Sequence, residues 1–282
     1  MKKIGFIDYY ISEWHANNYP KWIKEASERL GLQYKVEYAY AEKYISPVDN
    51  RNTDEWCEAF SVKKCDSIAE LCEKSDFVIV LAPSNPEKHL GYAKEVLKHG
   101  KPTYIDKTFA QNYETAEKIF KIGEELGTEF FSSSALRYSS ALDGLTDVKY
   151  ITTFGGGSNL PEYIIHQAEM VISACRARPL SVKVEKQGCQ YISLVKLDGE
   201  KAATMIYSPD LSFAVSAENS FGKRVYKPAA SDHFPRLLES ILIFFETRTR
   251  SFDAKETLEV MKLRDAVLCG KDKLGEEIKI TV

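Results

Sequence analysis

The sequence predicts an α/β protein: a doubly wound parallel sheet in the first half, then an α+β domain with an open, mainly antiparallel sheet. Three observations carry this. Short apolar runs alternate with helical patterns up to about residue 135. The glycine triplet Gly155-Gly156-Gly157 marks a change in character, and the segments after it are mostly strand-like. The 282 residues suffice for one large or two ordinary domains, here expected at 1–135 and 136–282.

In order, Lys3 to Asp8 is short, apolar and followed by polar residues, as a buried first strand would be. Tyr19 to Leu30 puts Trp22, Ile23, Ala26 and Leu30 on one helical face, with Gly31 as a stop. Pro20 is best tolerated in a first turn, so this helix is expected to begin near Asn18. A strand at Tyr34 to Tyr40 and a short helix at Ser67 to Lys74 follow. Phe77 to Ala82 is continuously apolar, as in a parallel strand covered on both faces, and Pro83 ends it. A helix from about Pro86 to His99, a strand at Pro102 to Asp106, a helix at Tyr113 to Leu126 and a strand at Glu129 to Ser133 complete the series. Strands joined by single helices return in parallel through right-handed crossovers, and ligands of such sheets bind at the carboxyl ends of the strands. Those ends are Asp8 to Ser12, Tyr40 to Lys43, Ala82 to Asn85 and Asp106 to Thr108. Beyond the triplet, a helix at Pro161 to Cys175 precedes strands near Leu180–Lys186, Tyr191–Leu197, Ala202–Tyr207, Phe213–Ala217 and Arg224–Tyr226, read as an antiparallel meander. Helices at Phe234 to Thr247 and Lys255 to Cys269 lead to a last strand near Ile278 to Val282.

Composition narrows the functional classes. Hydrophobic residues make up 44% and charged residues 28%, with a net charge of −3, as in a soluble globular protein without the basic excess that nucleic acid requires. Asp8 interrupts the first apolar run before a signal-peptide core forms, and no run approaches the roughly 20 residues that span a bilayer. Cys57, Cys65, Cys72, Cys175, Cys189 and Cys269 form no C-x-x-C pair. They are expected to be reduced thiols in a cytoplasmic protein that holds no metal.

The segments Pro83-Ser84-Asn85-Pro86-Glu87-Lys88-His89 and Lys101 to Ala110, the latter containing Asp106-Lys107-Thr108, resemble the Gfo/Idh/MocA family. The likeness extends to Ser67-Ile68-Ala69-Glu70-Leu71, Arg137-Tyr138, the glycine triplet ahead of His166, and the Lys255 to Val260 helix. The resemblance implies a nicotinamide-dependent dehydrogenase: a Rossmann domain holding NAD or NADP and a second domain whose sheet joins homodimers or homotetramers. It also implies a sugar, polyol or inositol-type substrate.

Lys107 stands where the family's Glu-Lys-Pro lysine lies beside nicotinamide and the substrate hydroxyl; an ammonium there stabilises developing alkoxide charge. His166 resembles the family's histidine, with Glu169 three residues on where Asp is usual; an imidazole is suited to take the hydroxyl proton while a carboxylate orients it. Arg137 is expected to contact a polar substrate or form an ion pair at the domain junction. His89 is read as a pocket-lining or helix-start residue, and His15, His99 and His233 carry weaker cases.

The pattern fails at one turn. A dinucleotide's pyrophosphate approaches the backbone closely after the first strand and sits on a helix amino terminus, which calls for glycines. Here the turn reads Asp8-Tyr9-Tyr10-Ile11-Ser12-Glu13, and no glycine occurs between Gly5 and Gly31. Asp8, Tyr9 and Tyr10 would line the cofactor with Ala82, Pro83, Asp106 and Lys107, and Glu42 is the candidate for the adenosine ribose. Two readings stand. The retained Asp106-Lys107 supports an NAD(P)-dependent oxidoreductase; the missing glycines support a relative that binds or scaffolds a sugar ligand without redox chemistry.

Overall fold

The computed structural model describes residues 1–281; of the expected last strand, Val282 lies outside them. The chain forms two compact units, one of Met1–Ser133 with Pro235–Phe252, the other of Ser134–Phe234 with the chain from Asp253 on. The sequence places a division near residue 135 but gives no sign that residues 235–252 return to the first unit.

The first unit is a six-stranded parallel sheet. Its strands are β1 (Lys2–Asp8), β2 (Tyr34–Ala41), β3 (Lys63–Lys64), β4 (Phe77–Val80), β5 (Thr103–Ile105) and β6 (Phe130–Phe131), in the order β3-β2-β1-β4-β5-β6. The order reverses between β1 and β4, so their carboxyl ends flank the crevice of a doubly wound sheet. Ile4, Phe6, Ile7, Val78, Ile79 and Val80 are fully buried, each worth about 1.5–3 kcal/mol over an exposed side chain. Gly5 is required there: a Cβ would stand 2.4 Å from Leu71 Cδ2.

Helix α1 (Trp14–Leu30) starts earlier than Pro20 suggests. The Glu13 carboxylate caps it, accepting from His15 N and Ala16 N, so the start is fixed before the proline and Pro20 lies in the second turn. Helix α2 (Thr53–Phe60) escapes the periodicity reading, although its capping box is legible as Asn52-x-x-Glu55. The remaining helices of this unit are α3 (Ile68–Lys74), α4 (His89–Leu97) and α5 (Tyr113–Leu126).

The second unit has β7 (Val148–Gly155), α6 (Leu160–Cys175), β8 (Pro179–Gln187), β9 (Gln190–Leu197), β10 (Lys201–Tyr207), β11 (Ala214–Asn219) and β12 (Arg224–Pro228), then α8 (Ala254–Asp272) and β13 (Glu277–Lys279). Helix α7 (His233–Thr247) begins here and continues into the first unit. The sheet order is β12-β11-β7-β10-β9-β8-β13. The predicted meander is corrected at one place. Strand β7, absent from the sequence reading, separates β10 from β11 and pairs with β10 in parallel. Its end explains the glycine triplet: a Cβ on Gly156 would lie 1.8 Å from Ser208 O, and one on Gly155 would enter the Phe213 ring.

Candidate active site

In the first unit, the residues singled out by the sequence gather at the ends of β1, β4 and β5. Asp8 closes β1 with its carboxylate inside the protein, where Oδ1 accepts from Tyr9 N (2.7 Å) and Ala82 N (3.1 Å). Ala82 presents that amide from a left-handed conformation (φ 61°). The other oxygen, Oδ2, is buried without a hydrogen-bond partner. Burial, reinforced by the charge of Glu13, pushes the Asp8 carboxyl well above the ordinary range. Glu13 is also buried, accepting from His15 N (2.8 Å) and Ala16 N (2.5 Å), and burial again raises its pKa.

The His15 ring turns from this cap toward β5. Its Nδ1 pairs with Asp106 Oδ2, and Tyr19 lies against it with the rings stacked at 5.1 Å and the hydroxyl 3.3 Å from Nδ1. Asp106 Oδ1 accepts from Lys107 N (2.8 Å) and the Tyr104 hydroxyl (3.2 Å). Burial works to raise this carboxyl, but the His15 ring and the Lys107 ammonium hold it below the ordinary value. Lys107 is itself buried and donates to Pro83 O (3.4 Å). Asp8, Glu13, His15, Asp106 and Lys107 thus form one buried charged group.

Tyr9 and Glu42 stand at the outer side of the same edge. The Lys88 ammonium lies over the Tyr9 ring at 4.4 Å and binds Glu42 Oε1 at 2.5 Å, and the Tyr92 hydroxyl donates to Glu42 Oε2 (2.8 Å). Both oxygens of the candidate ribose acid are therefore engaged by the protein. Tyr10 lies against Tyr9, with ring centroids 5.7 Å apart. His89 opens α4, as the helix-start reading has it, and its ring is fully buried, with Nε2 2.6 Å from Leu81 O and Nδ1 3.0 Å from Phe109 O.

In the second unit, His166 lies on α6 with Nδ1 2.6 Å from Ser134 Oγ, between Phe213 (5.5 Å) and Tyr163 (5.8 Å). Glu169 does not orient it, as the sequence suggested. Its carboxylate is buried, bonded by Arg137 Nε (2.5 Å) and Ser134 N (3.2 Å). Arg137 Nη1 reaches on to Glu256 (2.8 Å), so Arg137 forms an ion-pair network within this unit. Glu162, one helical turn before His166, accepts a hydrogen bond from Asn159 Nδ2 (3.2 Å). Ser134, the actual partner of the imidazole, is remote in sequence and gave no signal. The minor candidates are dispersed: His233 contacts Ala230 O (2.7 Å), and His99 follows the end of α4.

Residues 39–133 match the family model described as an oxidoreductase family with an NAD-binding Rossmann fold, Gfo/Idh/MocA. Over this segment, about a third of the chain, the protein is similar to the Gfo/Idh/MocA family. The whole chain shares its fold with scyllo-inositol dehydrogenase from Lactobacillus casei, solved with NAD(H) and scyllo-inositol (TM-score 0.76, 10% identity, 99% of each chain covered). It is similar also to UDP-N-acetylglucosamine 3-dehydrogenase from Acidithiobacillus ferrooxidans (TM-score 0.75, 13% identity, 95% of this chain and 97% of that one). No curated protein matches the sequence. The Gfo/Idh/MocA match begins inside β2, beyond the aberrant turn.

The matched family model is described as NAD-binding, and the turn tests whether an NAD fits here. A pyrophosphate needs free amides at a helix amino terminus and no opposing charge. Here the His15 and Ala16 amides are occupied by Glu13, those of Tyr9 and Ala82 by Asp8, and both acceptors are carboxylates. The residues do not fit a pyrophosphate in the Rossmann position. Among the described residues, no group of three His, Cys, Asp or Glu side chains is placed to hold a metal ion, and no helix is long and apolar enough to cross a membrane.

Proposed function

We propose that this chain is an oxidoreductase acting on a secondary hydroxyl of a sugar, polyol or inositol-type substrate, with Lys107 and His166 as its catalytic residues. The observation that carries the proposal is the family match across β5, with Asp106 and Lys107 retained at its end. Lys107 donates a hydrogen bond to the substrate oxygen and stabilises alkoxide character; its own position is supported by Asp106 and Pro83. With Nδ1–H donated to Ser134 Oγ, His166 offers Nε2 to the hydroxyl proton. NAD or NADP is the acceptor in this reading, held otherwise than on the amino terminus of α1. Exposed Tyr150 and Leu194 support assembly of copies through the second unit's sheet, and six thiols support a reducing, cytoplasmic compartment.

A second reading, a protein that binds such a ligand without redox chemistry, is favoured by the carboxylates of Asp8 and Glu13 at the turn. Nicotinamide absorbance during a screen of sugars, polyols, inositols and their keto forms separates the two. Turnover with any of them is expected under the first reading, and Lys107→Met or His166→Ala should then lower kcat by at least about 100-fold. Calorimetric binding of a sugar with no turnover in the presence of any dinucleotide would leave only the second.

A further inference from the structure

The carboxylates at the end of β1 and the start of α1 do more than fail to resemble a phosphate cradle. In a doubly wound sheet, the first turn and the helix after it offer backbone N–H groups and the positive end of a helix dipole, and an anionic ligand completes them. In this chain the completing groups are two of its own side chains, held by hydrogen bonds. Glu13 lies at the N-cap and spans the His15 and Ala16 amides with its two oxygens, while Asp8, the last residue of β1, bridges the Tyr9 amide just after it to the Ala82 amide beyond β4. Those two strands flank the crevice where the sheet order reverses. Four amides facing the crevice thus carry two carboxylates, both almost wholly buried, with 1% of Asp8 and 6% of Glu13 exposed.

Neighbouring groups fix the arrangement. His15, whose amide is capped, sends its ring to Asp106 at the end of β5, so the cap is tied to the strand that carries Lys107. Ser12, between the two carboxylates, is held by Asp49 (2.7 Å), and Ser46 Oγ donates to Ser12 O (2.6 Å). The turn is therefore fastened on both sides.

We propose that Asp8 and Glu13 are specificity-determining residues that serve as an internal substitute for phosphate: both occupy amides a pyrophosphate would use, and the charge of the Glu13 cap repels a second anion. The first unit consequently admits neutral ligands and rejects dinucleotides at this edge. The inference is independent of the hydroxyl chemistry assigned to Lys107 and His166, and it decides where a nicotinamide cofactor cannot be anchored.

The test is calorimetric titration of the full chain with NAD, NADH, NADP, NADPH and inorganic pyrophosphate, alongside the Asp8→Asn/Glu13→Gly double variant and the single variant Glu13→Gln. The wild type is expected to bind inorganic pyrophosphate more weakly than about 1 mM, whatever its affinity for the dinucleotides elsewhere. The double variant, with the cap removed and one charge neutralised, is expected to bind pyrophosphate at least tenfold more tightly. Circular dichroism establishes that the double variant is folded; if it is not, Glu13→Gln, which keeps an acceptor at the cap without its charge, takes its place with the same tenfold criterion. Wild-type binding of pyrophosphate tighter than about 1 mM, or folded variants that bind pyrophosphate no tighter than wild type, would overturn the proposal. Failure of the sugar screen with wild-type dinucleotide binding intact would instead count against the oxidoreductase reading alone.

Discussion

Arg137→Met should be among the most destabilising single substitutions in the second unit. The Arg137 guanidinium is 6% exposed and makes two ionic hydrogen bonds, to Glu169 at 2.5 Å and Glu256 at 2.8 Å. Glu256 is 26% exposed, so losing that contact costs little against solvent screening, about 0–1 kcal/mol. Glu169 is 3% exposed and would keep only the Ser134 amide. Removing one partner of a buried pair costs about 3–5 kcal/mol, and a unit of this size loses roughly 3 °C in Tm per kcal/mol, so a fall on the order of 10 °C is expected. The pH dependence identifies the cause. Burial already raises the Glu169 pKa above 4.5 in the presence of Arg137, and without the arginine it rises further. An acid whose folded pKa is raised binds its proton more tightly when folded, so stability falls as pH rises from the unfolded to the folded value. Urea unfolding should therefore show a smaller Arg137→Met penalty at pH 5 than at pH 8. The double variant Arg137→Met/Glu169→Leu should recover part of the loss. A penalty below about 1 kcal/mol, or one independent of pH, would refute this account of the buried charge.

Other predictions follow from single contacts. His89 is buried between two carbonyls, and burial lowers its pKa below 6.5, so the unfolded chain takes up the proton first and stability declines as pH falls below about 6.5. Replacing it by Gln should flatten that decline in melts between pH 7 and 5 while costing about 1–3 kcal/mol at pH 7; an unaltered acid profile would exclude His89 as its source. Gly156→Ala places a methyl 1.8 Å from Ser208 O and should cost about 3 kcal/mol or more by urea titration, whereas Gly188→Ala meets no atom within 4 Å and bears only the strain of φ 59°. Ser134→Ala removes the hydroxyl on His166 and should lower turnover of any substrate found while its Tm shifts by only a few degrees; equal kcat would remove Ser134 from the site.

The sequence was most legible where one physical rule governs a segment. The parallel strand at Phe77 is buried on both faces and so reads as an unbroken apolar run, and α5 is bounded by its Asn112 cap and Gly127, with limits that follow directly. It was least legible where partners lie far apart. Strand β7 lacks both a continuous apolar run and a clean alternation, since its apolar residues are Val148, Tyr150, Ile151 and Phe154, and it is defined by pairing with β10 and β11, more than 40 residues away. Pro20 misdirected the start of α1 because a helix limit depends on its cap, and the Glu13 cap outweighs one missing N–H. Within the site, the strand-end positions of Asp8, Ala82, Asp106 and Lys107 followed from topology alone. The His15–Asp106 pair did not, since 91 residues separate its members.

The return of residues 235–252 to the first unit bears on how the protein is made. Phe245 lies against Phe77 at 4.7 Å and Phe244 against Phe131 at 4.9 Å, filling one end of the parallel sheet with side chains supplied some 110 to 170 residues later in the chain. During synthesis the ribosome must therefore deliver residues 134–234 of the other unit before this unit has its last hydrophobic wall. A fragment cut at residue 135 would leave Phe77 and Phe131 without those rings and should collect as an aggregate, whereas a permuted chain that joins residues 235–252 directly to the first 133 would supply them.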